Sequence, residues 1–245
     1  MRRLLLACAV LALAAYAHAQ GQEAWVAPQA PVRIFGNAYY VGSRGLSAIL
    51  VTSDEGHVLI DAPMGQNAGM IAANIRALGF RLDDVRLILN SHVHFDHAGA
   101  IADLQRMSGA AVAARQASAP VLESGRSGPD DPQFGVVGAI TPVAVKVRIV
   151  ADGEVVRVGP LALTAHATGG HTPGGTSWSW RSCETGRDGE RCLNLVYADS
   201  LNAISADGFR YSNSRTYPTG VQDFEHGFAT LSSIPCDILL TPHPE

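Results

Sequence analysis

The chain has 245 residues, of which 47% are hydrophobic and 16% charged, a balance that suits a folded domain and excludes a disordered polypeptide. Its net charge of -4 offers nothing that would attract nucleic acid or an anionic membrane surface, and Lys146 is its one lysine. The opening residues read as an export signal. Arg2 and Arg3 form a basic start, Leu4 to Ala15 an apolar stretch, and Ala17-His18-Ala19 a small-x-small cleavage pattern. The stretch is too short to span a bilayer as a helix. Residues 1–19 are therefore expected to be removed, leaving residues 20–245 as one domain of a secreted, periplasmic protein. Lipid attachment at Cys8 is the rival, but it would leave an apolar stretch of only a few residues.

From Val32 to Ile60 the pattern is strand-like, with turns at Gly36-Asn37, Gly42 to Gly45 and Asp54 to Gly56. Ala68 to Leu78 has helical spacing and stops at Gly79. Val85 to Leu89 is a short apolar strand that runs straight into Asn90-Ser91-His92. A helix over Gly99 to Met107, a buried strand over Ala110 to Ala113 and a short helix over Arg115 to Leu122 follow. Ser124 to Pro142 is a long irregular stretch rich in Gly and Pro, and loops of that length in compact domains are usually functional. Strands are then expected at Val143 to Val150, Glu154 to Val158, Leu161 to Ala165, Thr176 to Trp180 and Leu193 to Tyr197. Val221 to Ser233 reads as a helix and Asp237 to Leu240 as a last strand. Two similar halves, each mixing strands and helices, suit an α+β sandwich of two sheets with helices outside.

An exported chain sits where disulfides persist. Cys183 and Cys192 flank a polar turn between two strand-like runs, so they can face each other across a hairpin. Cys236 is left over, and a partner beyond residue 245 is the expected explanation.

The chemistry concentrates in Ser91-His92-Val93-His94-Phe95-Asp96-His97. In an extended segment residues two apart point the same way, so His92, His94 and Asp96 share a face, and His97 follows at the start of a helix. His171 lies in the turn Gly169-Gly170-His171-Thr172-Pro173-Gly174, and His243 follows the apolar run that ends at Leu240. His18, His57, His166 and His226 lie in dull surroundings. Five histidines and one aspartate are too many for a single tetrahedral zinc. They divide into two sets of three, each with an open position, which is the pattern of catalytic zinc. Nitrogen and oxygen donors without thiolate also suit iron or copper, but zinc is the default for hydrolysis.

His-x-His-x-Asp-His, a histidine in Gly-His-Thr-Pro-Gly and a last one after a strand resemble the metallo-β-lactamase superfamily, from about residue 32 to the end. The resemblance implies an αββα sandwich of two mixed sheets with the metals at one edge. It implies two zinc ions, one held by His92, His94 and His171 and the other by Asp96, His97 and His243, sharing a hydroxide oriented by Asp96 that opens the β-lactam amide. A redox branch that carries glutamate where His94 stands is thereby disfavoured. Tyr197-Ala198-Asp199-Ser200-Leu201-Asn202 and the run Pro235 to Pro244 resemble the subclass with serine in place of a zinc-ligand cysteine. That subclass implies contacts from Ser200 near the second zinc. Asn202 stands where a small hydroxyl residue would help hold the substrate carboxylate. Glyoxalase II and its relatives place a metal-bridging aspartate near Asp199, so the role of that residue stays open.

The expected partner is a β-lactam antibiotic (penicillin, cephalosporin or carbapenem), with no nucleic acid, no membrane and a monomeric chain. The rival activities are a lactonase or a thioesterase on the same scaffold, or a zinc-binding homologue without catalysis. The Ser124–Pro142 stretch and the Gly42 to Gly45 turn are expected to wall the substrate cleft. His243 lies two residues from the end, a poor place for a rigid ligand, so the natural chain is expected to continue.

Overall fold

The computed structural model describes residues 23–187 and 189–244, so the expected export signal lies outside the described residues. Seven strands form the first sheet in chain order: β1 (Val32–Phe35), β2 (Ala38–Tyr40), β3 (Ile49–Val51), β4 (His57–Ile60), β5 (Val85–Leu89), β6 (Ala111–Ala114) and β7 (Arg148–Ile149). Five form the second: β8 (Val155–Val158), β9 (Leu161–Ala167), β10 (Thr176–Gly186), β11 (Gly189–Tyr197) and β12 (Ile238–Leu240), in the order β12-β11-β10-β9-β8. The helices are α1 (Ala68–Ala77), α2 (Phe95–Ala98), α3 (Ile101–Ser108), α4 (Ala119–Ser124) and α5 (Gly220–Ser233). Among the described residues no helix is long and apolar enough to cross a membrane.

The central strands of the first sheet are apolar except at His57 and Arg86, because both of their faces are largely covered. Ile49, Val51, Val58, Ile60, Leu87 and Leu89 point into the sandwich, where they meet Leu163, Ala165, Trp178, Trp180, Leu195 and Tyr197 of the second sheet. Their neighbours Leu50, Leu59 and Ile88 point outward and pack with Ile71, Ile75, Ile101 and Leu104 of α1 and α3. On the far side α5 lies against β9. Two sheets between outer helices are the α+β sandwich that the sequence leads one to expect.

One local expectation is met with shifted ends, and two are corrected. The helix expected over Gly99 to Met107 is α3, Ile101–Ser108, set off at Gly99-Ala100 from the short α2 that precedes it. A Cβ on Gly99 would come within 2.8 Å of the Gly65 nitrogen, and the Ala100 N–H donates to the Ala62 carbonyl at 2.8 Å instead of continuing a helix. The helix expected over Arg115 to Leu122 begins later, at Ala119, with a proline in its first turn. The strand expected over Val143 to Val150 shrinks to Arg148–Ile149. The Val143 N–H donates to the Leu122 carbonyl and the Val147 N–H to the Glu123 carboxylate, both at 2.9 Å, so neither joins a ladder. Val143 and Val147 are buried, and that burial is what gives the segment its apolar sequence.

Candidate metal centre

The parallel strands β4, β5 and β6 end at the same edge of the sandwich, the side where open α/β sheets place ligands. Asp61 follows β4 there and His92 lies just beyond β5. Thr168 follows β9, Ala198 follows β11, and Thr241 follows β12. His171, Asp199 and His243 therefore reach the same edge from the second sheet. The glycine before His171 has φ +126°, and a Cβ on it would lie 2.5 Å from the Phe224 ring, so α5 packs directly under this turn.

His92, His94 and His171 are buried, and their ligand atoms lie within 4.8 Å of one another. Each ring has a partner for its far nitrogen, which fixes the tautomer and turns the other nitrogen inward, where Gln133 Nε2 lies 3.4 Å from both His94 Nδ1 and His171 Nε2. The His92 Nδ1–H donates to Asp199 Oδ1 at 2.8 Å, while His92 Nε2 is buried with no hydrogen-bond partner. The His171 Nδ1–H donates to the Asn202 carbonyl at 2.9 Å. His94 Nε2 lies 3.1 Å from Asp131 Oδ2, so His94 Nδ1 is turned toward His171 Nε2, 3.3 Å away. Three imidazole lone pairs thus converge on one point, and the orphaned His92 Nε2 fits a metal ion there.

A second group lies beside the first. The His97 ring centroid is 3.7 Å from that of His92, and His97 Nε2 is 3.6 Å from Asp96 Oδ2. His243 Nε2 approaches the same carboxylate oxygen at 3.4 Å. The ligand atoms of Asp96 and His97, together with that of His92, lie within 4.8 Å of one another. His243 is the most open of the six side chains, 40% exposed.

The far nitrogen of His97 meets a network the sequence reading missed. His97 Nδ1 lies 3.3 Å from Ser91 Oγ and 3.5 Å from Asp61 Oδ2. Asp61, wholly buried, also accepts from the Ser91 N–H at 2.7 Å, Tyr197 OH at 2.9 Å and Asn90 Nδ2 at 3.3 Å. Its φ of +58° is one that non-glycine residues rarely adopt, and such strain persists only where surrounding bonds over-determine it. The signal that could have found Asp61 is its place at the end of an apolar strand, matching Asn90-Ser91-His92 at the end of β5.

Burial sets the charge states. It holds His92 well below the ordinary histidine range, with His97, His94 and His171 adding to the shift. It lowers His171 to about 4, helped by His94. Both rings are neutral near pH 7, as ligands must be. Burial opposes ionisation of Asp96, but His97, a hydrogen bond with His243 and the charge of His94 outweigh it, so its carboxyl lies well below the usual range. Burial lifts Asp199 to about 7, aided by the charge of Asp61 and opposed by His97.

Asp199 lies behind His92 and not between the two groups. Among the described residues it belongs to neither set of converging ligand atoms. A Cβ on Gly175 would come within 2.8 Å of Asp199 Oδ2, so the glycine makes room for the carboxylate.

A cleft of about 450 Å³ opens over the centre, lined by His94, Asp96, His97, His171, His243, Ser200, Asn202, Gln133, Val137 and Trp25 among others. The 124–142 stretch supplies part of its wall, as expected. The Gly42 to Gly45 turn does not. The Gly45 N–H donates to the Ala24 carbonyl at 3.0 Å, so this turn braces the N-terminal segment, and Trp25 of that segment forms the wall instead. The Trp25 ring centroid is 5.7 Å from that of His243.

The remaining histidines stay out of the centre. His57 packs edge-on against Phe80, His166 Nε2 bonds Ser179 Oγ, and His226 lies on the exposed face of α5. Cys183 and Cys192 are directly opposed on β10 and β11 and joined in a disulfide, while Cys236 is exposed and free.

Residues 41–184 match the family model of the metallo-β-lactamase superfamily. Among solved structures, the chain is similar to the Rm3 metallo-β-lactamase, with 56% identity and a TM-score of 0.86 over 90% of this chain and 80% of that one. It is 53% identical to MEM-A1, a subclass B3 metallo-β-lactamase from a soil metagenome library, with a TM-score of 0.86 over 90% and 81% of the two chains. It is 46% identical to the metallo-β-lactamase MIM-1 from Novosphingobium pentaromativorans, with a TM-score of 0.84 over 90% and 78%. On its fold, its converging histidines and these similarities, the chain belongs to the metallo-β-lactamase superfamily.

Proposed function

We propose that this protein is a zinc-dependent β-lactamase, opening the amide of penicillins, cephalosporins and carbapenems with two zinc ions. The observation that carries the reading is the convergence of His92, His94 and His171 beside Asp96, His97 and His243, in a chain 40–56% identical to metallo-β-lactamases. His92 Nε2, His94 Nδ1 and His171 Nε2 would hold one ion. Asp96, His97 and His243 would hold the other. Bound there, zinc supplies Lewis acidity that polarises a carbonyl oxygen and makes water available as a nucleophile near neutral pH.

The chain's own residues then orient the reactants. Asp96, ionised at neutral pH and held between His97 and His243, is placed to accept a hydrogen bond from the attacking water. Asp199 and Asp61 hold the rings of His92 and His97 from behind. Ser200 and Asn202 line the cleft and are assigned to the carboxylate that β-lactams carry beside the ring nitrogen. Val137 and Trp25 give the cleft an apolar wall that limits the access of bulk water. Export to the periplasm belongs to the same proposal, and the Cys183–Cys192 disulfide fits an oxidising compartment.

The test is hydrolysis of a penicillin, a cephalosporin and a carbapenem by the zinc-loaded protein, with and without a chelator. Turnover that chelation abolishes is expected for all three. Zinc-loaded protein that cleaves a lactone or a thioester but no lactam would move the assignment to another hydrolase of this fold.

A further inference from the structure

Three of the histidines are backed by carboxylates, and one of those carboxylates differs from the others in where it comes from. Asp199 and Asp61 stand at strand ends, on the rigid frame. Asp131 belongs to the irregular 124–142 stretch, where Asp130, Phe134, Gly135 and Val136 are exposed and Asp131 alone among the acids is buried. Its two oxygens lie 3.2 and 3.1 Å from His94 Nε2. It also accepts the Gln133 N–H at 2.8 Å, and its own N–H donates to the Gly128 carbonyl at 3.0 Å. Its neighbour Pro132 accepts the Ala206 N–H at 2.8 Å, which ties the stretch to the segment after Asn202.

An imidazole at a strand end can carry its proton on either ring nitrogen. A carboxylate at Nε2 holds the proton there and leaves the lone pair on Nδ1, the nitrogen that points at His171. We infer that Asp131 is a positioning residue for His94 and that, through this contact, the 124–142 loop is fastened to the first metal position. The inference rests on the reading of His94 as a zinc ligand. It goes beyond that reading because binding and loop order become linked: zinc that fixes His94 also fixes Asp131 and the backbone around it, and loosening the loop weakens zinc.

The test uses the full chain in four forms: wild type, Asp131→Asn, Asp131→Ala and Asp130→Asn. The last removes the same charge from the exposed adjacent position. Zinc affinity is measured by competition with a chromophoric chelator, and backbone hydrogen exchange over residues 124–142 is followed with and without zinc. Loss of the outer partner of a metal-bound histidine typically weakens binding by about 10–100-fold. A fall of that size is expected for one equivalent of zinc in Asp131→Ala, with a smaller fall in Asp131→Asn, whose amide oxygen can still accept. Zinc should slow exchange in the loop of wild type and Asp130→Asn, and lose that effect in Asp131→Ala. If the alanine variant does not fold, the near-isosteric Asp131→Asn decides alone. Zinc affinity within twofold of Asp130→Asn, with loop protection intact, would overturn the inference while leaving the proposed function standing. Wild-type protein that takes up no zinc would overturn both.

Discussion

The two ends of the sandwich are built on opposite plans. At the metal end, six strand and loop termini bring together five histidines and the acids Asp61, Asp96, Asp131 and Asp199, most of them wholly or nearly buried. Buried polar groups are costly unless they find partners, and here Asp61, Asp131 and Asp199 each engage at least one carboxylate oxygen, while Asp199 Oδ2 has no partner among the described residues. At the other end the β10–β11 hairpin continues past the core as a two-stranded ladder, with exposed residues and a disulfide across the pair Cys183 and Cys192. β10 runs from Thr176 beside the metal centre to Gly186, so seven residues, or about 23 Å of strand at about 3.3 Å per residue, separate Thr176 from Cys183. The contrast teaches that reactivity and covalent bracing are kept apart, so each can be changed without the other.

That separation can be broken or sharpened by substitution. The largest effect is expected at the metal end. His94→Ala should lower kcat/KM for a cephalosporin by about 10³-fold or more, since metal catalysis is worth several kcal/mol. His226→Ala, on the exposed face of α5, should leave it unchanged. Equal losses in both would show that the histidines act through stability. At the other end, Cys183→Ser should lower stability by about 2–3 kcal/mol for so short a loop, read as a denaturant midpoint, with kcat/KM retained. A variant that keeps its midpoint but loses turnover would mean that the hairpin reaches the cleft. The smallest expected effect tests the supports behind the ligands. Asp199→Asn should weaken zinc binding by about 10–100-fold without changing the number of ions bound at saturation. Loss of one equivalent altogether would place Asp199 among the ligands.

The parts of this molecule legible from sequence are those whose signal is local. His92, His94, Asp96 and His97 stand within six residues at the end of one apolar strand, so spacing alone brings them together. A glycine turn marks His171 and a strand end marks His243, and these signals are local too. The polar turn between Cys183 and Cys192 marks them as a cross-hairpin pair, and the strands stand out wherever both faces are covered. Asp131 and Gln133 carry no such mark, and Asp61 carries only its place at a strand end, with no second ligand-type residue beside it. Each is a single polar residue whose meaning comes from what the fold brings near it: Asp61 meets Ser91 and His97 from one other segment and Tyr197 from a second. Trp25 is illegible for the same reason, and it forms the wall expected of the Gly42 to Gly45 turn. The Val143 to Val150 segment misled because buried valines read as a strand when side chains pack but the backbone bonds go elsewhere.

The most direct measurement is a zinc titration into chelated protein, followed by the initial rate of cephalosporin hydrolysis and by the metal bound per chain. The account predicts a rate near zero without zinc that rises as the ion is added and levels off at two equivalents. Hydrolysis at full rate in the chelated protein, or a protein that binds no zinc at all, would contradict it.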